Sequence, residues 1–341
     1  MTALVALAVP LAVLVGALAA SWLLVGRVTA YLRHKAILDH PNDRSSHTIP
    51  TPRGGGWGVM LTLLPAWALI GGLGGNLRGV LPILAGAAAL MAISWIDDRR
   101  GLGAAPRFLT QIAAVTVGLM ALPADGLVLQ GLAPLWLDRL VAALAWLWFV
   151  NLFNFMDGIN GLAGSEAATI GGGLALVTGL IGVEPNLALY GLAAAGAALG
   201  FLRWNWDPAK VFMGDVGSVP LGYTLGWLLL MVAANGATSG AWPAALLVPA
   251  YFLADATFTL LRRAFEGKKI WQAHREHFYQ KATQRGRSHA EVVCAVLAAN
   301  AALVALAAAS LSIGWIALPA GAAVIVLLLA HLARPARRVA A

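Results

Sequence analysis

Apolar residues run along nearly the whole chain in stretches of about 17 to 25, separated by short polar segments. At 1.5 Å per helical residue, each such stretch is long enough to cross a hydrocarbon core about 30 Å thick. The pattern predicts an all-α, polytopic integral membrane protein, since a β-barrel would show short segments of alternating hydrophobicity. Spans are expected near residues 3–26, 56–73, 79–96, 106–122, 138–152, 165–183, 187–202, 218–234, 242–260, 290–311 and 313–333, about 10–11 transmembrane helices in a single transmembrane domain over 1–341. The fifth is short and opens on Asp138 and Arg139. Small-residue clusters such as Gly171 to Gly173 are read as packing positions that let helices approach closely.

Composition agrees: 60% of the residues are hydrophobic and 11% charged, which excludes an ordinary cytosolic fold. A net charge of +8 could point to nucleic acid, but its distribution points to the membrane, and no nucleic-acid partner is expected. No Lys or Arg precedes the first span, whereas Arg27, Arg33 and Lys35 follow it, as expected for an uncleaved span with a periplasmic N-terminus. Alternation then places segments 27–55, 97–105, 153–164, 203–217 and 261–289, with the tail from Arg334, on the cytoplasmic side. Of the 23 Lys and Arg residues, all but Arg78 and Arg139 fall on that side. Cys294 lies in an apolar stretch without a partner, so it forms no intrachain disulfide, and it is read as a packed core residue.

The polar, motif-like segments all fall on this one face. Asp97 and Asp98 end the run LMAISWIDDRRG. Carboxylates are costly beside hydrocarbon, and such a pair can hold a divalent cation, keep one member basic by like-charge repulsion, or pair with Arg99 and Arg100. In NLFNFMDGINGLAG, Asn151, Asn154 and Asp157 recur every three residues and line one face of a helix end, while the glycines behind them allow close approach of a ligand or a backbone. Asp215, between Gly214 and Gly217, opens another span as a ligand-binding turn, and its oxygens suit Mg²⁺ together with substrate phosphates. Phe212 can stack on a base or anchor the interface. His274, Arg275 and His277 sit in a long basic loop suited to an anionic ligand or to lipid headgroups. Zinc is disfavoured because no cysteine is near and His289 falls at no familiar spacing. In LDHPNDRSSHTIPTPRGGG, prolines and glycines forbid a continuous helix, and backbone amides with Arg44, His47 and Arg53 can receive phosphate.

Taken in order from Asp39 to Tyr279, these five segments resemble the polyprenyl-phosphate N-acetylhexosamine-1-phosphate transferases. That family includes the enzyme making the first lipid intermediate of peptidoglycan and those initiating O-antigen and related polymers. The resemblance implies a multi-pass enzyme of the bacterial inner membrane with its active site on the cytoplasmic face. Its acceptor is undecaprenyl phosphate, its donor a UDP-N-acetylhexosamine, and its products UMP and a polyprenyl diphosphate sugar. It implies Mg²⁺, with Mn²⁺ as a substitute, held by Asp215 with Asp98 and Asp157. Asp97 would orient or deprotonate the acceptor. Asn151, Asn154 and Phe212 would lie near the nucleotide, and His274, Arg275 and His277 would contact the donor. Family members often pair as homodimers.

Two departures stand out. The family pattern Asp-Gly-x-Asp-Gly has Asn160 at its second acidic position, where an amide is expected to alter hydrogen bonding to the nucleoside. The loop HREHFYQ resembles the enzymes initiating O-antigen and other surface polysaccharides more than the peptidoglycan transferase, with GlcNAc or a 6-deoxy-N-acetylhexosamine as candidate sugars. A transporter would instead need charged residues near the bilayer midplane and two related halves. Only Asp255 lies well inside a span, and no second half resembles the first. An inactive scaffold does not fit the intact set Asp97, Asp98, Asp157 and Asp215.

Overall fold

The computed structural model describes residues 3–41, 49–182, 184–235, 240–269, 272 and 274–336. Arg44 and His47 therefore lie outside the described residues. The described chain is a helical bundle: α1 (Ala3–His34), α2 (Gly56–Leu73), α3 (Leu77–Arg100), α4 (Ala104–Gly118), α5 (Leu135–Phe155), α6 (Leu162–Ile181), α7 (Pro185–Asn205) and α8 (Asp215–Ala234) come first. Then follow α9 (Trp242–Leu247), α10 (Ala250–Phe265), α11 (Phe278–Gln284), α12 (His289–Ile313) and α13 (Ala317–Ala333). A two-residue antiparallel ribbon, β1 (Leu38–Asp39) with β2 (Thr51–Pro52), stands between α1 and α2. Nine segments among the described residues are long and apolar enough to cross a membrane; the ninth, 45 residues long, contains both α12 and α13. This is the polytopic all-α class that the hydrophobic pattern predicts.

Helix α8 is the axis. Every residue from Val216 to Ala234 is buried, as its all-round apolar sequence requires, and α2, α3, α5, α6 and α9 pack around it. Its start is pressed against α2: a Cβ on Gly56 would collide with the Cα of Gly217, so neither position tolerates a side chain. Between α6 and α7, Gly171 would meet the carbonyl of Gly191 in the same way, and Gly173 meets Val304 and Val248, while Gly172 faces open space. The packing role expected of this cluster thus falls to two of its three glycines.

Three details differ from the sequence expectation. The ninth expected span, 242–260, is broken at Val248 and Pro249 into α9 and α10. The fifth span begins at Leu135, and Asp138 is buried in its first turn, accepting the backbone N–H groups of Val128 and Leu129 at 3.3 and 2.7 Å. Cys294 is exposed on the outer side of α12 and is not a core residue. An apolar run gives no indication of which of its faces meets lipid when, as in α12, the hydrophobic residues go all the way round.

Candidate active site

Segments far apart in sequence meet at one end of the bundle. The connection after β2 lies alongside the strand-like run before α8: Phe212 N donates to Pro52 O at 2.8 Å, and the amides of Gly54 and Gly55 donate to Phe212 O at 3.1 and 2.8 Å. This backbone pairing carries Arg53 to the head of α8. Its Nη2 lies 2.8 Å from Asp98 Oδ1 and 2.9 Å from Asp215 Oδ1. Phe212 thus takes part in the site first through its backbone.

Asp98 also accepts the N–H groups of Asp215 and Val216 at 3.3 and 3.1 Å, capping the axial helix from α3. Gly214 allows the approach: its φ is +73°, and a Cβ there would stand 2.9 Å from Asp98 Oδ2. Asp97 turns the other way, accepting Leu102 N at 2.6 Å and Arg107 Nη1 at 2.7 Å, and the same Arg107 nitrogen lies 3.8 Å from Asp215 Oδ2. The partners of the acidic pair are Arg53 and Arg107. Arg99 instead lies over the Trp95 ring.

Asp157 follows the end of α5, half-buried, within the field of Asp215 and Asp98. The low-dielectric surroundings, with Asp215 and Asp98 adding to them and Arg53 opposing, push its carboxyl up to about 7. For Arg53, burial opposes the charge, and Asp98, Asp215 and Asp39 together outweigh it, so the guanidinium is held more firmly protonated than usual.

A cavity of about 380 Å³ opens beside Asp215, between α3, α4, α5 and α8. Arg107, Asn151 and Asn154 mark its polar end, and Leu90, Ile93 and Phe108 its apolar walls. Asn151 Nδ2 donates to Gln111 Oε1 at 2.8 Å, and Asn154 Oδ1 accepts Ser218 Oγ at 2.6 Å.

The histidine loop is anchored elsewhere. Asp255, fully buried in α10, receives Tyr251 Oη and Thr259 Oγ1 from its own helix, the amides of Phe278 and Tyr279 at the start of α11, and faces His277 Nδ1 at 3.2 Å. The structure therefore places the His277 ring in a buried helix cap and does not bring it into the aspartate cluster. His274 stacks on His277, with ring centroids 4.9 Å apart, and His277 on Tyr279 at 5.6 Å. Burial and the neighbouring His277 lower the His274 imidazole to about 4, so it is neutral at pH 7. Tyr279 links loop and cluster: its hydroxyl donates to Phe155 O at 3.0 Å, in space that a Cβ on Gly158 would fill. Glu276 ties Arg262, Arg263 and Lys268 back onto α10. Arg275 borders a separate polar cleft with Asp207 and Arg287.

Among the described residues no three of His, Cys, Asp and Glu converge as a ready metal cage. Two hard carboxylate oxygens nevertheless face one positively charged position, occupied by the Arg53 nitrogen, with a third carboxylate near. That donor set fits Mg²⁺, which takes one or two carboxylates and completes its shell with substrate phosphates and water. Sequence reasoning overlooked Arg107, Ser218 and Asp255 as parts of this architecture. A lone arginine opening an apolar span and a lone acid inside one were the available signals.

Carboxylates and arginines gather at one end of a bundle of membrane-spanning helices, beside an apolar-walled cavity, which defines a polytopic membrane protein with a charged site at one end. The family model described as Glycosyl transferase family 4 matches residues 80–233. The chain is 31% identical over 295 residues to the decaprenyl-phosphate N-acetylglucosaminephosphotransferase of Mycobacterium tuberculosis, covering 74% of this chain and 70% of that protein. It is 29% identical over 257 residues to a probable undecaprenyl-phosphate N-acetylglucosaminyl 1-phosphate transferase of Bacillus subtilis, covering 74% and 71%. To a phospho-N-acetylmuramoyl-pentapeptide-transferase of a Synechococcus species it is 34% identical over 269 residues, covering 71% and 69%. The chain belongs to glycosyl transferase family 4 and is a multi-pass membrane transferase.

Proposed function

We propose that the protein transfers an N-acetylated hexosamine 1-phosphate from a UDP-sugar to undecaprenyl phosphate at the cytoplasmic face of the bacterial inner membrane, initiating a surface polysaccharide such as O-antigen. A phosphate oxygen of the acceptor forms a bond to the β-phosphorus of the donor, the bond from that phosphorus to the bridging oxygen breaks, and UMP leaves with the electron pair. The observation carrying this reading is the meeting of Arg53, Asp98, Asp215 and the Asp97–Arg107 pair at the polar end of an apolar-walled cavity. A lipid phosphate needs both parts of that arrangement.

Asp215, Asp98 and Asp157 would hold Mg²⁺, which when bound neutralises the diphosphate. Arg53 and Arg107, held in place by the aspartates, offset phosphoryl charge as it redistributes. Asp97 holds Arg107 in place, and as the acceptor phosphate is already mostly ionised near pH 7, positioning is a larger need than proton removal. His274, neutral at pH 7, offers the donor a hydrogen bond rather than a charge. The relatives' GlcNAc names support an N-acetylated hexosamine, and the Lys and Arg distribution supports the cytoplasmic orientation.

The test uses detergent-purified protein with undecaprenyl phosphate and a panel of UDP-N-acetylhexosamines, following UMP release. Turnover with one donor, lost in EDTA, restored by Mg²⁺ and reduced at least about a thousandfold by Asp215→Asn, is expected. Folded protein that releases no UMP from any donor contradicts the reading.

A further inference from the structure

The family pattern has an acid where this chain has Asn160, and the structure shows what the amide does. Asn160 Nδ2 donates to Asp207 Oδ1 at 2.9 Å, and Asn160 N donates to His289 Nδ1 at 3.3 Å. The next residue, Gly161, donates its N–H to Asn205 Oδ1 at 2.9 Å, and Asn205 Nδ2 in turn donates to Val211 O at 2.8 Å. The turn after α5, which carries Asp157, is thus fastened at two adjacent points to the end of α7 and the connection that follows it. Asp207 also forms one wall of a polar cleft of about 350 Å³, bordered by Arg275, Arg287 and His289.

We infer that Asn160 is a positioning residue whose amide is matched to Asp207: the pair holds the turn that carries Asp157 against the connection before α8, so Asn160 acts through the placement of that turn rather than by turning to the nucleoside. An aspartate in place of Asn160 would set two carboxylates at hydrogen-bonding distance with no proton between them, which is repulsive unless one is protonated. The charged and titratable groups around the pair are Arg275, Arg287 and His289 in the cleft, with Asp157 three residues back along the turn. In this chain the amide at position 160 and the acid at position 207 are therefore one linked feature. The chemistry also runs in reverse: combining Asn160→Asp with Asp207→Asn keeps the same bond with donor and acceptor exchanged.

This inference rests on the proposed reaction only for its kinetic arm. Wild type, Asn160→Asp, Asp207→Asn and the exchanged double variant are compared at pH 5, 6.5 and 8 by thermal melting in detergent and, with the UDP-sugar, by kcat and donor KM. Asn160→Asp is expected to melt lower than wild type by a margin that widens as pH rises, and to raise donor KM at least about fivefold with a smaller change in kcat. Asp207→Asn should stay near wild type because an amide oxygen still accepts from Asn160. The double variant should recover both melting and KM. An Asn160→Asp protein that does not fold while the double variant does also supports the pair. Unchanged melting and KM in Asn160→Asp, or a defect that the exchange fails to repair, overturns it. Should wild type turn over no donor, the proposed reaction fails, and the melting comparison alone still decides for or against the pair.

Discussion

At the residue scale, Arg53 is the member of the cluster whose loss is most informative. It stands between two carboxylates, so Arg53→Ala leaves Asp98 and Asp215 facing one another with no intervening charge. Because the guanidinium is partly exposed, the expected destabilisation is modest, about 1–2 kcal/mol in metal-free protein. Melting with and without Mg²⁺ checks it: the variant should gain more from Mg²⁺ than wild type does, because the ion replaces the missing charge. His274 gives a second prediction with a definite sign. Its folded value near 4 lies below the ordinary 6.5, so the native state favours the neutral ring. The stabilisation is fully present above pH 6.5 and is lost as pH falls through about 4. Asp157, raised to about 7, acts oppositely, destabilising as pH rises toward that value. The difference in melting between wild type and His274→Gln isolates the histidine: the variant should lose less stability than wild type between pH 6.5 and 4. The carboxylates at span ends were legible in the sequence because an acid beside hydrocarbon needs a reason. Their partners were not, since Arg53 and Asp215 are 162 residues apart and only the folded chain brings them together.

At the scale of elements, the broken ninth span shows a limit of pattern reading in a membrane. Proline is poor evidence for a break here: Pro10, Pro65, Pro82 and Pro220 all sit inside continuous helices. Neighbouring helices re-satisfy the freed carbonyls, so Pro249 carried no distinct signal. The lone Asp255 did carry one, and its work is structural. It collects donors from α10 and from the start of α11, so one buried carboxylate joins the two helices that the loop connects. Asp255→Ala should cost about 2–4 kcal/mol, because several buried donors lose their acceptor together. Limited trypsin digestion should cut faster at Lys268, Lys269 and Arg275, and donor binding should weaken with the loop. Unchanged digestion would contradict the anchoring role. The same network explains why a histidine near the middle of a motif proved to be a cap: sequence spacing cannot tell a ring that faces substrate from one that faces a buried acid.

At the scale of the molecule, the proposed cytoplasmic placement of the motif end rests on the distribution of Lys and Arg, and the exposed Cys294 makes it easy to test. Replacing that outward-facing thiol by alanine is expected to leave stability unchanged within about 0.5 kcal/mol. In this background, the thiol of a Gly131→Cys variant should react with a membrane-impermeant maleimide in intact spheroplasts, and that of Lys268→Cys only after the membrane is opened. The reverse pattern would invert the orientation and place the site on the wrong side for a UDP-sugar.

The buried axial helix has a consequence for how such a sequence can change. Asp215 is the first residue of α8, whose side chains are enclosed by other helices, whereas α1 and α4 turn most of their surface outward. Drift driven by a new membrane composition acts on the outer ring, where one apolar residue replaces another at little cost. Asp215 hangs from a part of the protein that such drift does not reach. Tolerance to substitution should therefore fall radially, from the rim of the bundle to its centre, and the chemistry can stay fixed while the protein moves between membranes of different thickness and lipid content.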